Sequence, residues 1–170
     1  MKTFGVAIEI PQPHAEILRQ AREAAGDPEA HTNPPHVTVV APVSIDPEEM
    51  RVVEEHLTEA LAGIPAFRMR LRGTGTFRPV TPVVFVAVSD GIAACEEIER
   101  RVRRGPLALE TRFPYHPHVT IAAEVDEAAL DRAFDELAHF EADFMIDAVH
   151  LYELAEHGWE LTRSYLLERR

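Results

Sequence analysis

Apolar and other residues alternate from Thr3 to Ile10, with Phe4, Val6, Ile8 and Ile10 on one side, and this period of two predicts a strand. Pro11 and Pro13 lead into Glu16 to Ala25, where Ile17, Leu18 and Ala21 recur at helical spacing. Loop residues Gly26 to Pro28 and Asn33 to Pro35 precede a β-branched run, His36-Val-Thr-Val-Val-Ala, bounded by Pro42. Asp46-Pro47-Glu48-Glu49 offers an N-cap, a proline at N1 and an acid at N3. Met50, Val53, Leu57 and Leu61 then stripe a helix up to Gly63. From Ala66 to Arg72, Phe67, Met69 and Leu71 alternate with Arg68, Arg70 and Arg72, a third strand with an arginine face, stopped by Gly73 and Gly75.

The second half repeats this order. A strand is predicted over Val83 to Val88, then a helix over Ile92 to Val102 with Ile92, Cys95, Ile98 and Val102 on one face. A strand His118-Val-Thr-Ile-Ala follows, then a helix capped by Asp126 that carries Leu130, Phe134 and Leu137, and one strand from Phe144 to Leu154. The two His-x-Thr runs lie 82 positions apart (118 against 36) and the two capping aspartates 80 apart (126 against 46). A duplicated β-α-β-α-β unit, about 1–73 and 82–154, is the expectation. Trp159 to Leu167 closes the chain as a hairpin with the strand before it, turning at His157-Gly158. The fold class is thus α+β, within one domain spanning 1–170.

In a strand, residues i and i+2 share a face. His36 and Thr38 therefore point one way and Val37 and Val39 the other, and the same holds for His118 and Thr120 against Val119 and Ile121. A duplicated fold brings the two polar pairs together about a pseudo-two-fold axis. Two imidazoles with ordinary values near ~6.5 make a general base and a general acid near neutrality, and two hydroxyls can bind the oxygens of an anion between them. Such a set suits phosphoryl chemistry without a metal.

Charge narrows the substrate. There are 29 acidic against 17 basic residues, a formal charge of −12, so the mean field repels long nucleic acid and an anionic substrate needs a local basic pocket. No apolar run approaches the ~20 residues of a membrane span and no secretory leader is read at the start, so a cytoplasmic location off the membrane is expected. The lone Cys95 excludes an internal disulfide and any multi-cysteine zinc site, and its place in an apolar stripe assigns it to the core.

Pro35-His36-Val-Thr-Val and His116-Pro117-His118-Val-Thr-Ile-Ala resemble the paired H-x-T-x motifs of the 2H phosphoesterases, in particular their bacterial 2′,5′ RNA ligase-like, cyclic phosphodiesterase branch. The Gly-Thr-Gly-Thr-Phe segment at 73–77, the strand after it and the closing hairpin extend the resemblance along the chain. It implies a two-lobed fold of antiparallel-type sheets around a central cleft. It also implies hydrolysis of 2′,3′-cyclic phosphates, on RNA ends or small nucleotides, to 2′-phosphates. Carried over, His36 and His118 are the catalytic pair and Thr38 and Thr120 bind phosphate, with the assignment of acid and base left open. Neither metal nor cofactor is required, no protein partner is inferred, and a monomer is expected. The chain departs from many relatives after the second motif, where Ala122-Ala123-Glu124 stands in place of a basic residue.

Further substrate contacts are expected from His116, which shares the face of His118, and from Tyr115, Phe77 and Arg78 near the cleft, with core packing as the competing role for the aromatics. Arg68, Arg70 and Arg72 read as a solvated face, and the arginines from 100 to 104 as cations complementing a helix C-terminus. Two other functions use the same residues: joining a cyclic phosphate to a 5′-hydroxyl in a 2′,5′ linkage, and nucleotide binding without turnover.

Overall fold

The structure, a computed structural model, describes residues 1–169. Among the described residues eight strands and four α-helices follow in the order β1 (Lys2–Glu9), α1 (His14–Ala24), β2 (His36–Ile45), α2 (Met50–Leu61), β3 (Phe67–Thr76), β4 (Val83–Asp90), α3 (Ile92–Val102), β5 (His118–Ala123), α4 (Glu127–Glu136), β6 (Glu141–Ile146), β7 (Ala148–Ala155) and β8 (Gly158–Leu166). Two antiparallel four-stranded sheets result, ordered β2-β1-β7-β8 and β5-β4-β3-β6. The two orders correspond strand for strand, which is the pseudo-two-fold arrangement expected of the duplicated unit. Each half lends one strand to the other's sheet, β3 joining β4 and β7 joining β1.

The caps act as their sequences suggest. Asp46 Oδ1 accepts the Glu48 amide at 3.0 Å and opens a short 3₁₀ turn that runs into α2, and Asp126 Oδ1 accepts the Ala129 amide at 2.8 Å at the start of α4. Val53, Leu57 and Leu61 of α2 and Cys95, Ile98 and Val102 of α3 are buried. Burial pushes the Cys95 thiol up to about 12, as befits a core residue.

Three local readings change. The single strand foreseen over 144–154 is two, because the inward alternation slips by one residue at Asp147: Ile146, then Val149 and Leu151, are buried, and the chain passes from one sheet to the other. Gly73 and Gly75 lie inside β3 instead of ending it, at a register shift between Leu71 and Thr74. Gly73 takes a positive φ of 68°, while a Cβ on Gly75 would stand 2.6 Å from the ring of Phe85. Along α1 the buried residues are Ala15, Leu18 and Arg22, whereas Ile17 is exposed.

Candidate active site

β2 and β5 are the edge strands of their sheets, and they approach each other between the lobes. α3 packs on β2 and α1 on β5, so each motif strand is backed by a helix from the other half. The alternation of apolar and polar residues does the rest: Val37, Val39, Val119 and Ile121 are buried, while His36, Thr38, His118 and Thr120 stay partly open to the cleft. Two side-chain bonds fasten the lobes here. Tyr115 Oη donates to the Thr38 carbonyl at 2.7 Å, and Asp27 Oδ2 accepts the Ala123 amide at 2.8 Å.

Both histidines are oriented in the same way. His36 Nδ1 lies 2.7 Å from the Pro34 carbonyl and His118 Nδ1 lies 2.7 Å from the His116 carbonyl, in each case two residues upstream. A carbonyl only accepts, so each Nδ1 carries the proton and each Nε2 keeps a free lone pair in the neutral ring. Desolvation lowers both imidazoles, His118 down to about 4, with the backbone bond opposing it. The positive charges of His116 and of His36 push His118 down further, while Arg22 lowers His36.

Two cavities share this cleft. One, of about 290 Å³, is lined by His36, Thr38 and Thr120, with Arg22 and Trp159 on its walls and Gly5 and Ala7 of β1 beneath. Ala7 pairs with Thr38 in the sheet, whereas the residue paired with Thr120 is Phe85, so the lobe of β1 leaves open a space that the other lobe fills with a ring. The β7–β8 hairpin brings Trp159 in: its amide donates to Thr32 O at 3.0 Å, and a Cβ on the preceding Gly158, at φ 129°, would come within 2.6 Å of that same oxygen. The other cavity, of about 530 Å³, holds His118, His116, Phe77, Phe113 and Tyr115 and shares Thr38 with the first. Phe77 and Phe85 pack around His118 with ring centroids 4.9 and 5.2 Å away.

His36, Thr38 and Thr120 are therefore brought to one cavity, and His118, His116, Phe77 and Tyr115 to its neighbour. The Tyr115 hydroxyl is committed to the Thr38 backbone. Arg78 is not brought to either cavity: Glu127 and Asp131 of α4 hold its Nη1 at 3.0 and 2.8 Å. Arg68 likewise pairs with Asp143 on β6. Arg22, Trp159 and the Gly5–Ala7 floor were not singled out from sequence. The only available signals were a charged residue on a helical stripe and two small residues in an apolar strand. Among the described residues, no three histidine, cysteine, aspartate or glutamate side chains form a metal-ligating cluster.

The comparisons with known proteins agree with this architecture. A curated relative named "Putative phosphoesterase" in Halalkalibacterium halodurans is 23% identical over 167 residues, covering 96% of both chains, and one of the same name in Geobacillus sp. is 24% identical over 169 residues, covering 96% of this chain and 95% of its own. The fold is similar to crystal structures of E. coli LigT complexed with 3′-AMP (15% identity, TM-score 0.68, 98% of both chains) and of TT0787 of Thermus thermophilus (22%, 0.61, 97% of both). The 2′-5′ RNA ligase superfamily matches residues 10–158. The chain belongs to that superfamily, the 2H phosphoesterases.

Proposed function

We propose that the protein is a cyclic phosphodiesterase that opens 2′,3′-cyclic phosphates of RNA ends or small nucleotides to 2′-phosphates. The observation that carries this reading is the shared clamp of the two imidazoles, each Nδ1 on the carbonyl two residues upstream, beside two threonines on facing strands. One neutral histidine takes a proton from water through Nε2 as the water oxygen bonds to phosphorus. The other, protonated, delivers its proton through Nε2 to the ribose 3′-oxygen as the P–O3′ bond breaks. Thr38 and Thr120 hydrogen-bond the non-bridging oxygens as charge builds on them. Because burial lowers both imidazoles, the anion itself supplies the field that holds one proton on the pair.

Cavities on both sides of Thr38 offer room for groups on either side of phosphorus, which favours ligation as a second reading, with a 5′-hydroxyl taking the place of water. The test is phosphorus NMR of the purified protein, in EDTA, with the four 2′,3′-cyclic nucleotides and a short RNA bearing a cyclic phosphate end, with and without a 5′-hydroxyl acceptor. A 2′-monoester is the expected product. A new diester formed only with the acceptor assigns ligation, and nucleotide binding without any product assigns the non-catalytic reading.

A further inference from the structure

We infer that Arg22 is the cation of the phosphate site, its guanidinium binding the phosphoryl oxygens in the cavity lined by His36, Thr38 and Thr120. The inference rests on the reaction proposed above. An anion site in a chain of formal charge −12 needs a local positive group, and the residues after the second motif, Ala122-Ala123-Glu124, supply none. Among the described residues lining this cavity, Arg22 is the one lysine or arginine.

Its burial is the unusual feature. Arg22 is 5% exposed and occupies a position on the inner stripe of α1 that an apolar residue would fill at far lower desolvation cost. Nor are its donors used up. A guanidinium offers five N–H groups, and among the described residues Arg22 makes one hydrogen bond, from Nη2 to Glu29 Oε2 at 3.4 Å. Its Nε stands 2.9 Å from Asp27 Oδ2 as an ion pair, but without hydrogen-bond alignment. Asp27 is itself fixed, Oδ1 accepting the Glu29 amide at 2.9 Å and Oδ2 the Ala123 amide at 2.8 Å. The carboxylate therefore pins the guanidinium against the end of β5, three residues beyond Thr120.

The other arginines near the cleft do not reach this cavity. Arg103 lines the neighbouring His118 cavity, its Nε 3.1 Å from Glu99 Oε1 as an ion pair without hydrogen-bond alignment and its Nη1 donating to the Leu109 carbonyl at 3.1 Å, and Arg78 is held on α4. Arg22 also acts on the catalytic pair at a distance, its charge opposing protonation of His36. Glu29, half-exposed and lining the same cavity, is the intramolecular competitor for the guanidinium that an entering phosphate displaces.

The test is titration of the full chain with inorganic phosphate by calorimetry, in parallel with hydrolysis of a 2′,3′-cyclic nucleotide and a thermal melt. Loss of a charge-assisted bidentate contact predicts phosphate binding weakened about tenfold to a hundredfold in Arg22→Met, and by less in Arg22→Lys, which keeps the charge but not the fork. KM for the cyclic nucleotide rises with it. Glu29→Gln tightens phosphate binding, and Ala123→Arg, whose side chain enters the same cavity, restores it in Arg22→Met. Should Arg22→Met not fold, Arg22→Lys and Glu29→Gln carry the test. Wild-type phosphate affinity in folded Arg22→Lys or Arg22→Met, beside normal hydrolysis by the wild type, overturns the role of Arg22 and leaves the reaction standing. Arg22-dependent phosphate binding with no hydrolysis of any cyclic nucleotide does the reverse, and absence of both overturns both.

Discussion

The phenol of Tyr115 donates a 2.7 Å hydrogen bond to the backbone carbonyl of Thr38, the residue shared by both cavities. The segment that leads into the second motif strand is thereby tied to the first. Desolvation pushes the phenol well above its usual range, so it stays protonated and donating at any working pH. Tyr115→Phe leaves that carbonyl without this partner and is expected to cost about 1–3 kcal/mol, which for a chain of this size is a fall in Tm of roughly 2–10 °C. Turnover should fall with it, since the spacing of β2 and β5 loosens. Calorimetric melting and steady-state kinetics on the same preparation check both.

The lowered imidazoles fix the sign of the pH dependence of activity. The proposed reaction needs one protonated histidine in a pair whose free-enzyme values lie below the ordinary 6.5, with His118 near 4. At neutral pH the singly protonated pair is therefore scarce, and kcat/KM is expected to rise as pH falls from about 8 to about 5.5. A profile that is flat or climbs with pH over that range contradicts the assignment.

Stability should run the other way. A histidine lowered in the folded state binds fewer protons there than in the unfolded chain, so folding is progressively penalised as pH falls below 6.5 towards 4, and the stability present at neutral pH is lost in that window. His118→Asn, which removes one such group, is expected to flatten the fall of Tm between those pH values. Melts of the wild type and the variant across the window measure it.

Much of the fold was legible because its signals are local. Period-two alternation marked the strands, and Asp46 and Asp126 marked the helix starts with side-chain bonds that the structure contains. What escaped was set by tertiary contacts. The break at Asp147 is a one-residue slip in alternation between two runs that both suit a strand, and only the exchange of sheets reveals it. Gly75 looks like a strand stop until Phe85 is seen lying over it. For the candidate site, the i, i+2 rule placed His36 with Thr38 on one cavity; it put His118 and Thr120 on one strand face, but Thr120 lines the His36 cavity and His118 the neighbouring one. Arg22 stayed hidden because an arginine on a helix is ordinarily solvated, and its burial depends on Asp27 and on a β5 amide about a hundred residues away.

The Gly75–Phe85 contact gives a prediction of its own. An added Cβ 2.6 Å from the Phe85 ring forces that ring to move, and the ring packs 5.1 Å from His116 and 5.2 Å from His118. Gly75→Ala is expected to destabilise by about 1–3 kcal/mol through overpacking and to lower turnover. Phe85→Leu in the same chain relieves the clash and should return part of the stability. The thermal melts of the single and double variants decide it.

The most direct test of the paired-histidine account is turnover of a 2′,3′-cyclic nucleotide by the wild type, His36→Ala and His118→Ala, side by side. The account predicts that the wild type forms a 2′-monoester and that each single variant, still folded, loses about 10²–10⁴-fold in kcat, the usual contribution of a positioned acid or base. Retention of wild-type kcat by either folded variant would contradict it.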